Sequence, residues 1–256
     1  MTSPGELAVV AVMAFVAAAL AAVTGFGGAV VLLPVLAWAF GVRDAVPILT
    51  VAQLIGNGSR VWLNRSELDW RVVGWFALGG VPLAWIGGHV FAYAPLAGLT
   101  RLLGAFLLLV VVWRRLRPGT GWRPPLRSFA LIGAASSFLS ALFGSVGPLM
   151  APLFLAYGLV KGAYIGTEAC ATVVMHVVKL VAYRQAAVLS GHSVLIGLAL
   201  GPVMFAGSWA GKRILDRVPA RAFTPLIEAT MVAAGLLFLL RGYRLSPPSP
   251  EAKPSS

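Results

Sequence analysis

Glu168, Thr172, His176 and Lys179 follow one another at spacings of four, four and three inside an otherwise apolar run. On an α-helix those spacings put all four on one face. A related stripe, Thr50, Gln53, Asn57 and Arg60, lies in an earlier apolar run, with its last three members again at spacings of four and three. A charged side chain at the centre of a membrane helix costs at least about 2.5–3.5 kcal/mol on insertion scales, so such residues are expected to line one protein-enclosed cavity rather than face lipid. Arg60 and Lys179 would supply positive potential for an anion. Glu168 and His176 are the residue types that exchange protons, and are the candidates for coupling proton movement to anion movement. Each member also has a plainer reading. Arg60 and Lys179 lie near run ends, where long basic side chains extend to the interface. His176 can be a neutral, hydrogen-bonded bundle histidine, and Glu168 can sit near a helix start, where the dipole favours a negative charge.

A second kind of feature interrupts the apolar chain. Thr24-Gly25-Phe26-Gly27-Gly28 is followed by Pro34, and a partial copy, Gly144-Ser145-Val146-Gly147-Pro148, is followed by Pro152. Glycine costs about 1 kcal/mol in a helix interior and proline about 3. Broken backbone at membrane depth is tolerated only inside protein or beside a wet cavity, and paired breaks in two halves of a chain point to a transport site. Backbone N–H groups freed around Gly25–Gly28 and Gly144–Gly147, with the hydroxyls of Thr24 and Ser145, are expected to face an anion at the ends of half-helices. Glycines also serve close helix packing, which is the reading for Gly87-Gly88 and Gly207. The run at Gly25–Gly28 is too nearly consecutive for that.

The elements that must position these residues are membrane helices. Of 256 residues 59% are hydrophobic and 11% charged, with a mean hydropathy of +0.89, whereas soluble domains carry about 25% charged residues. The chain therefore reads as an all-α integral membrane protein. Apolar runs fall at about 7–23, 27–40, 45–63, 72–91 and 96–113, and again at 128–143, 147–157, 163–183, 194–210 and 224–240. Depending on whether the short runs beside the glycine motifs cross, re-enter or form one broken helix, this makes about eight to ten transmembrane segments. The expected organisation is a first transmembrane repeat at 1–117, a basic cytoplasmic linker at 118–127, a second repeat at 128–243 and a disordered Pro/Ser-rich tail at 244–256. Besides the breaks, Pro34 matches Pro152, Val42-Arg43-Asp44-Ala45 matches Val160-Lys161-Gly162-Ala163, Arg60 matches Lys179, and Pro82 matches Pro202.

The net charge of +12 resides mainly in short segments between apolar runs. That is the positive-inside pattern and not a nucleic-acid stripe. With Arg114, Arg115, Arg117, Arg123 and Arg127 cytoplasmic, Arg65 and Arg71 follow. Lys212, Arg213, Arg217 and Arg221 join them only if the two short runs of each half return the chain to its starting side. The halves are then oppositely oriented, an inverted repeat with both termini outside; Arg241 and Arg244 go against the rule. The single cysteine, Cys170, excludes an intramolecular disulfide and a cysteine metal cluster. The stretch from Leu7 to Ala22, flanked by Glu6 and no basic residue, reads as a retained membrane segment rather than a cleaved signal. Neither HExxH, GxSxG nor a nucleotide-binding motif occurs, and no cofactor or metal is expected.

With the pattern assembled, the chain resembles the sulfite exporter TauE/SafE family of membrane permeases. The carriers are TGFGGAVVLLPVL at Thr24–Leu36, FGSVGPLMAPLFL at Phe143–Leu155 and the Arg-rich segment between two similar halves. The resemblance implies a small bacterial inner-membrane permease that moves sulfite, a sulfonate or a related sulfur-containing anion. Its partners are that anion and membrane lipid. The second motif departs from the glycine run at Val146 and Pro148. Two other classes stay open at this level: an intramembrane enzyme and a non-transporting membrane assembly factor.

Overall fold

The computed structural model describes residues 4–93, 123–144, 146–219 and 222–223. The runs at 96–113 and 224–240, Arg114, Arg115, Arg117, Ser145, Arg221 and the tail lie outside the described residues. Every regular element among the described residues is a helix: α1 (Pro4–Thr24), α2 (Gly28–Phe40), α3 (Val42–Leu63), α4 (Trp70–Tyr93), α5 (Ser128–Phe143), α6 (Gly147–Tyr157), α7 (Lys161–Gln185), α8 (Gly191–Ala199) and α9 (Gly201–Arg217). Among the described residues four segments are long and apolar enough to cross a membrane: α1, α4, α7 and the α8–α9 stretch Gly191–Arg217. Leu200 separates α8 from α9, and Pro202 stands at the first turn of α9, where its missing N–H is cheapest. The surface is apolar where lipid would lie: Leu78, Leu131 and Leu195 are 65%, 75% and 66% exposed. The two polar stripes are buried.

Close approaches at small residues give the helix directions. Gly79 lies against Ala130, and Gly87 against Phe138 and Ala141, so α4 and α5 run parallel. Gly207 lies against Phe15 and Ala18, and Gly211 against Ala19 and Ala22, so α1 and α9 are parallel too. These glycines pack helices, as read for Gly87 and Gly207. The central pair α3 and α7 is antiparallel: Arg60 meets Glu168, Asn64 meets Gly166, and Glu67 meets Gly162.

It follows that α1 and α2 form a hairpin entering from one end of the bundle, while α5 and α6 form a hairpin entering from the other. Both tips are glycine turns. Gly25, Gly27 and Gly144 have φ of +83°, +93° and +79°, a left-handed backbone that only glycine adopts without strain. The first tip reaches Glu168 through Arg60, the second reaches Lys179 through Ser140, and the two tips meet where Phe26 lies against Gly147.

Most of the described basic residues outside the cavity gather at one end, opposite Arg43 in the first turn of α3 and Arg184 in the last turn of α7. Lys212 Nζ lies 4.0 Å from Glu67 Oε1, in the α3–α4 connection that also carries Arg65, and the parallel α4 and α5 begin beside Arg71 and Arg127. Asp69 starts α4 by accepting hydrogen bonds from the N–H groups of Arg71 and Val72, an N-cap. Trp62 and Trp70, 55% and 64% exposed at the same end, suit interfacial anchoring. Single cysteines at Arg65, Arg127 and Arg213 on a Cys170→Ser background should therefore react with a membrane-impermeant maleimide from one and the same side. Labelling of Arg213→Cys from the side opposite to Arg65→Cys would rule out these helix directions.

Candidate functional site

The two hairpin tips and the two polar stripes meet around one cavity with about 40 Å³ of water-accessible space, room for a few water molecules or a small anion. Gly25, Phe26, Gly27 and Gly28 line it from the first tip, and Gly144, Val146 and Gly147 from the second. Gln53, Asn57 and Arg60 line it from α3, and Glu168, Thr172 and His176 from α7. Arg60, Glu168, His176 and Lys179 are all buried, so neither basic side chain extends to an interface.

Arg60 is held on every side. Its Nη1 donates to Gly25 O at 3.0 Å and Ala21 O at 3.2 Å, and lies 3.3 Å from Glu168 Oε2. Its Nη2 donates to Asn57 Oδ1. The guanidinium thus caps the carbonyl end of α1, where the helix dipole is negative, and joins the first half of the chain to the second. Glu168 is steadied in turn by Thr172, whose Oγ1 donates to Glu168 Oε1 at 3.0 Å. Lys179 does the corresponding work at the other tip. Its Nζ donates to Ser140 Oγ at 3.1 Å and to Ser140 O at 3.5 Å, the same carbonyl that accepts the Gly144 N–H. Among the described residues Lys179 has no carboxylate partner. It stands behind Ser140, which itself lines the cavity.

Two expected contributors point elsewhere. Thr24 donates its hydroxyl to Leu20 O and Phe26 O at 2.9 and 2.7 Å, which stabilises the turn and leaves no donor for the cavity. Lys179 does not line the cavity. Ser145 lies outside the described residues.

What remains available to a ligand is specific. No hydrogen bond is accepted, among the described residues, from the N–H groups of Gly28 and Ala29 at the start of α2, and both residues line the cavity. His176 Nδ1 is buried without a partner among the described residues. The second tip offers less: the N–H groups of Leu149 and Met150 both bond to Val146 O, and Pro148 has no N–H.

A family model for the sulfite exporter TauE/SafE family matches residues 10–238. The chain belongs to this family. The match takes in both hairpins and both stripes, so the permease reading extends to the whole bundle and this is a multi-pass membrane protein. No curated protein and no solved structure matches the TauE/SafE chain. Several residues around its cavity were missed at the sequence level as site members: Ser140, Met150, Met175 and Tyr164, whose OH donates to Thr24 O at 3.2 Å and whose ring covers Gly25. The buried serines Ser136, Ser137 and Ser140 in one apolar run were the readable signal for Ser140. The methionines and Tyr164 carried none, because in an apolar helix they look like core.

Proposed function

We propose that the cavity between the hairpin tips is the anion site of a permease for sulfite, a sulfonate or a related sulfur-containing anion, acting as an exporter in a bacterial inner membrane. The observation behind this reading is the convergence, on one cavity, of an arginine with a helix N-terminus and a histidine nitrogen that have no hydrogen-bond partners among the described residues. An anion placed at Gly28 and Ala29 gains the positive end of the α2 dipole and lies within the set Gln53, Asn57 and His176. The halves 1–117 and 128–243 act as inverted repeats: α1 packs on α9 as α5 packs on α4, and α3 and α7 meet at the centre. Rocking of one half against the other would expose the site alternately to each side. The end carrying Arg65, Arg127 and Lys212 faces the cytoplasm by the positive-inside bias.

Proton coupling follows from the ion pair. An arriving anion competes with Glu168 for Arg60, and a carboxylate released inside the bundle is costly unless it takes up a proton. One proton then accompanies one anion, with His176 placed to pass it. The alternative has a distinct signature. A monoanion crossing alone under an inside-negative potential is driven outward by about 2.3 kcal/mol per 100 mV, whereas one proton moving with it cancels that drive.

Proteoliposomes with imposed gradients separate the cases. The expected result, with methanesulfonate as a monoanion, is flux that follows an imposed pH gradient and ignores a potassium diffusion potential, with Glu168→Gln losing the pH response. Flux that answers only to the potential would remove the coupling role of Glu168 and His176. Absence of flux for every sulfur anion tested would remove the permease reading for this site.

A further inference from the structure

We infer that the cavity selects by the number of oxygens on the anion: it takes a pyramidal XO₃ group, as in sulfite or a sulfonate, and rejects tetrahedral sulfate, with Phe26, Val146 and Met150 as the specificity-determining wall. This rests on the reading of the cavity as a sulfur-anion site.

The cavity has two kinds of wall. One presents hydrogen-bonding groups, from the first turn of α2, from α3 and from α7. The other is apolar: Phe26, Val146 and Met150 are 4%, 3% and 1% exposed and belong to one packed cluster that continues behind them through Phe154 and Tyr164. Phe26 of the first tip sits directly on Gly147 of the second, so this wall is continuous across the junction of the halves. Its backbone offers few donors. Leu149 and Met150 give their N–H groups to Val146 O, and Pro148 has none to give. That leaves Val146 and Gly147 as the N–H groups without an acceptor among the described residues from 146 to 150. Where the first motif has Gly27 and Ala29, the second has Val146 and Pro148. At Val146 that departure puts an apolar side chain on the cavity, and at Pro148 it removes an N–H donor.

An anion held by its oxygens against the polar wall must turn something toward Phe26, Val146 and Met150. The sulfur lone pair of sulfite or the carbon of a sulfonate can face that wall without needing a donor. The fourth oxygen of sulfate would be stripped of water and left unpaired there, a penalty equivalent to roughly 5- to 100-fold in affinity.

The test uses the full-length protein purified in detergent and calorimetric titration with sulfite, methanesulfonate and sulfate, at a pH where sulfite and sulfate are both dianions so that charge is matched. Sulfite and methanesulfonate are expected to bind, with sulfate weaker by roughly 5- to 100-fold. Met150→Gln, which brings a donor to the apolar wall, should narrow the gap between sulfite and sulfate, while Met150→Leu should preserve it. Equal affinity for sulfite and sulfate in the unmodified protein would overturn the inference, as would an unchanged gap in folded Met150→Gln. If Met150→Gln does not fold, the unmodified protein and Met150→Leu still decide. Binding of none of the three anions would instead overturn the assignment of the cavity as an anion site, and the inference with it.

Discussion

Replacing Glu168 by Leu is expected to lower the stability of the protein by about 3–5 kcal/mol, because it leaves the Arg60 guanidinium charged and unpaired inside the bundle. Both side chains of this pair are only 5% exposed, and they join helices from different halves of the chain. Arg60→Met should cost at least as much. It strands the Glu168 carboxylate and also uncaps the carbonyls of Ala21 and Gly25. The double variant Arg60→Met with Glu168→Leu removes both charges together, and should be clearly more stable than Arg60→Met alone. It should not regain transport, since nothing remains to exchange with the anion. Thermal unfolding in detergent, alongside flux in proteoliposomes, measures both. A double variant as unstable as the sum of the singles would show that the two residues do not act as a pair.

The second large effect is expected at the first hairpin tip. A Cβ on Gly28 would stand 2.9 Å from Ala17 O, 3.2 Å from Ala21 Cβ and 3.3 Å from Gln53 Nε2. Gly28 is the first residue of α2 and needs no left-handed backbone, so Gly28→Ala adds little conformational strain. The added methyl pries α2 from α1 and pushes Gln53 while leaving the fold largely intact. Displacing a binding group by about 1 Å can cost on the order of 100-fold, so the anion flux of Gly28→Ala should fall by about tenfold or more with a much smaller loss of stability. Gly41→Ala is the matching control. Its φ is +81° and nothing lies within 4 Å of the added carbon, so it bears backbone strain of about 1–3 kcal/mol without touching the site. Gly25→Ala combines both penalties, with φ at +83° and the Tyr164 ring in the way, and should not fold. Normal flux from Gly28→Ala, together with lost flux from Gly41→Ala, would place the effect in stability and not in the site.

Much of this protein was legible from its residues in order. Hydropathy is a local property, and α5 and α6 fall where the apolar runs at 128–143 and 147–157 place them. The glycine breaks were legible because helix-forming cost is also local. Gly25, Gly27 and Gly144 adopt the left-handed backbone that ordinary residues avoid. The stripes were legible because helical spacing puts Asn57 with Arg60, and Glu168 with Thr172 and His176, on common faces. Membership of the TauE/SafE family follows from the same motifs.

Only the tertiary structure decided what those groups do to one another. Arg60 and Glu168 are 108 residues apart, and no pattern along the chain says that they meet. Their contact follows from α3 and α7 packing antiparallel. The arginine, read as a source of positive potential for an anion, is committed to a carboxylate and to the carbonyl end of α1. Thr24 turns its hydroxyl into its own turn, where the backbone acceptors Leu20 O and Phe26 O lie at 2.9 and 2.7 Å. The difference between the two tips is also a tertiary matter. Val146 and Pro148 read as an imperfect repeat in one dimension; in the fold Val146 joins Phe26 in one packed cluster on the cavity, while Pro148 withholds an N–H. Residue type and spacing determine which helices form and which faces are polar, because those preferences act within a few residues. Which faces meet, and hence which charges remain available, depends on packing between elements far apart in the chain.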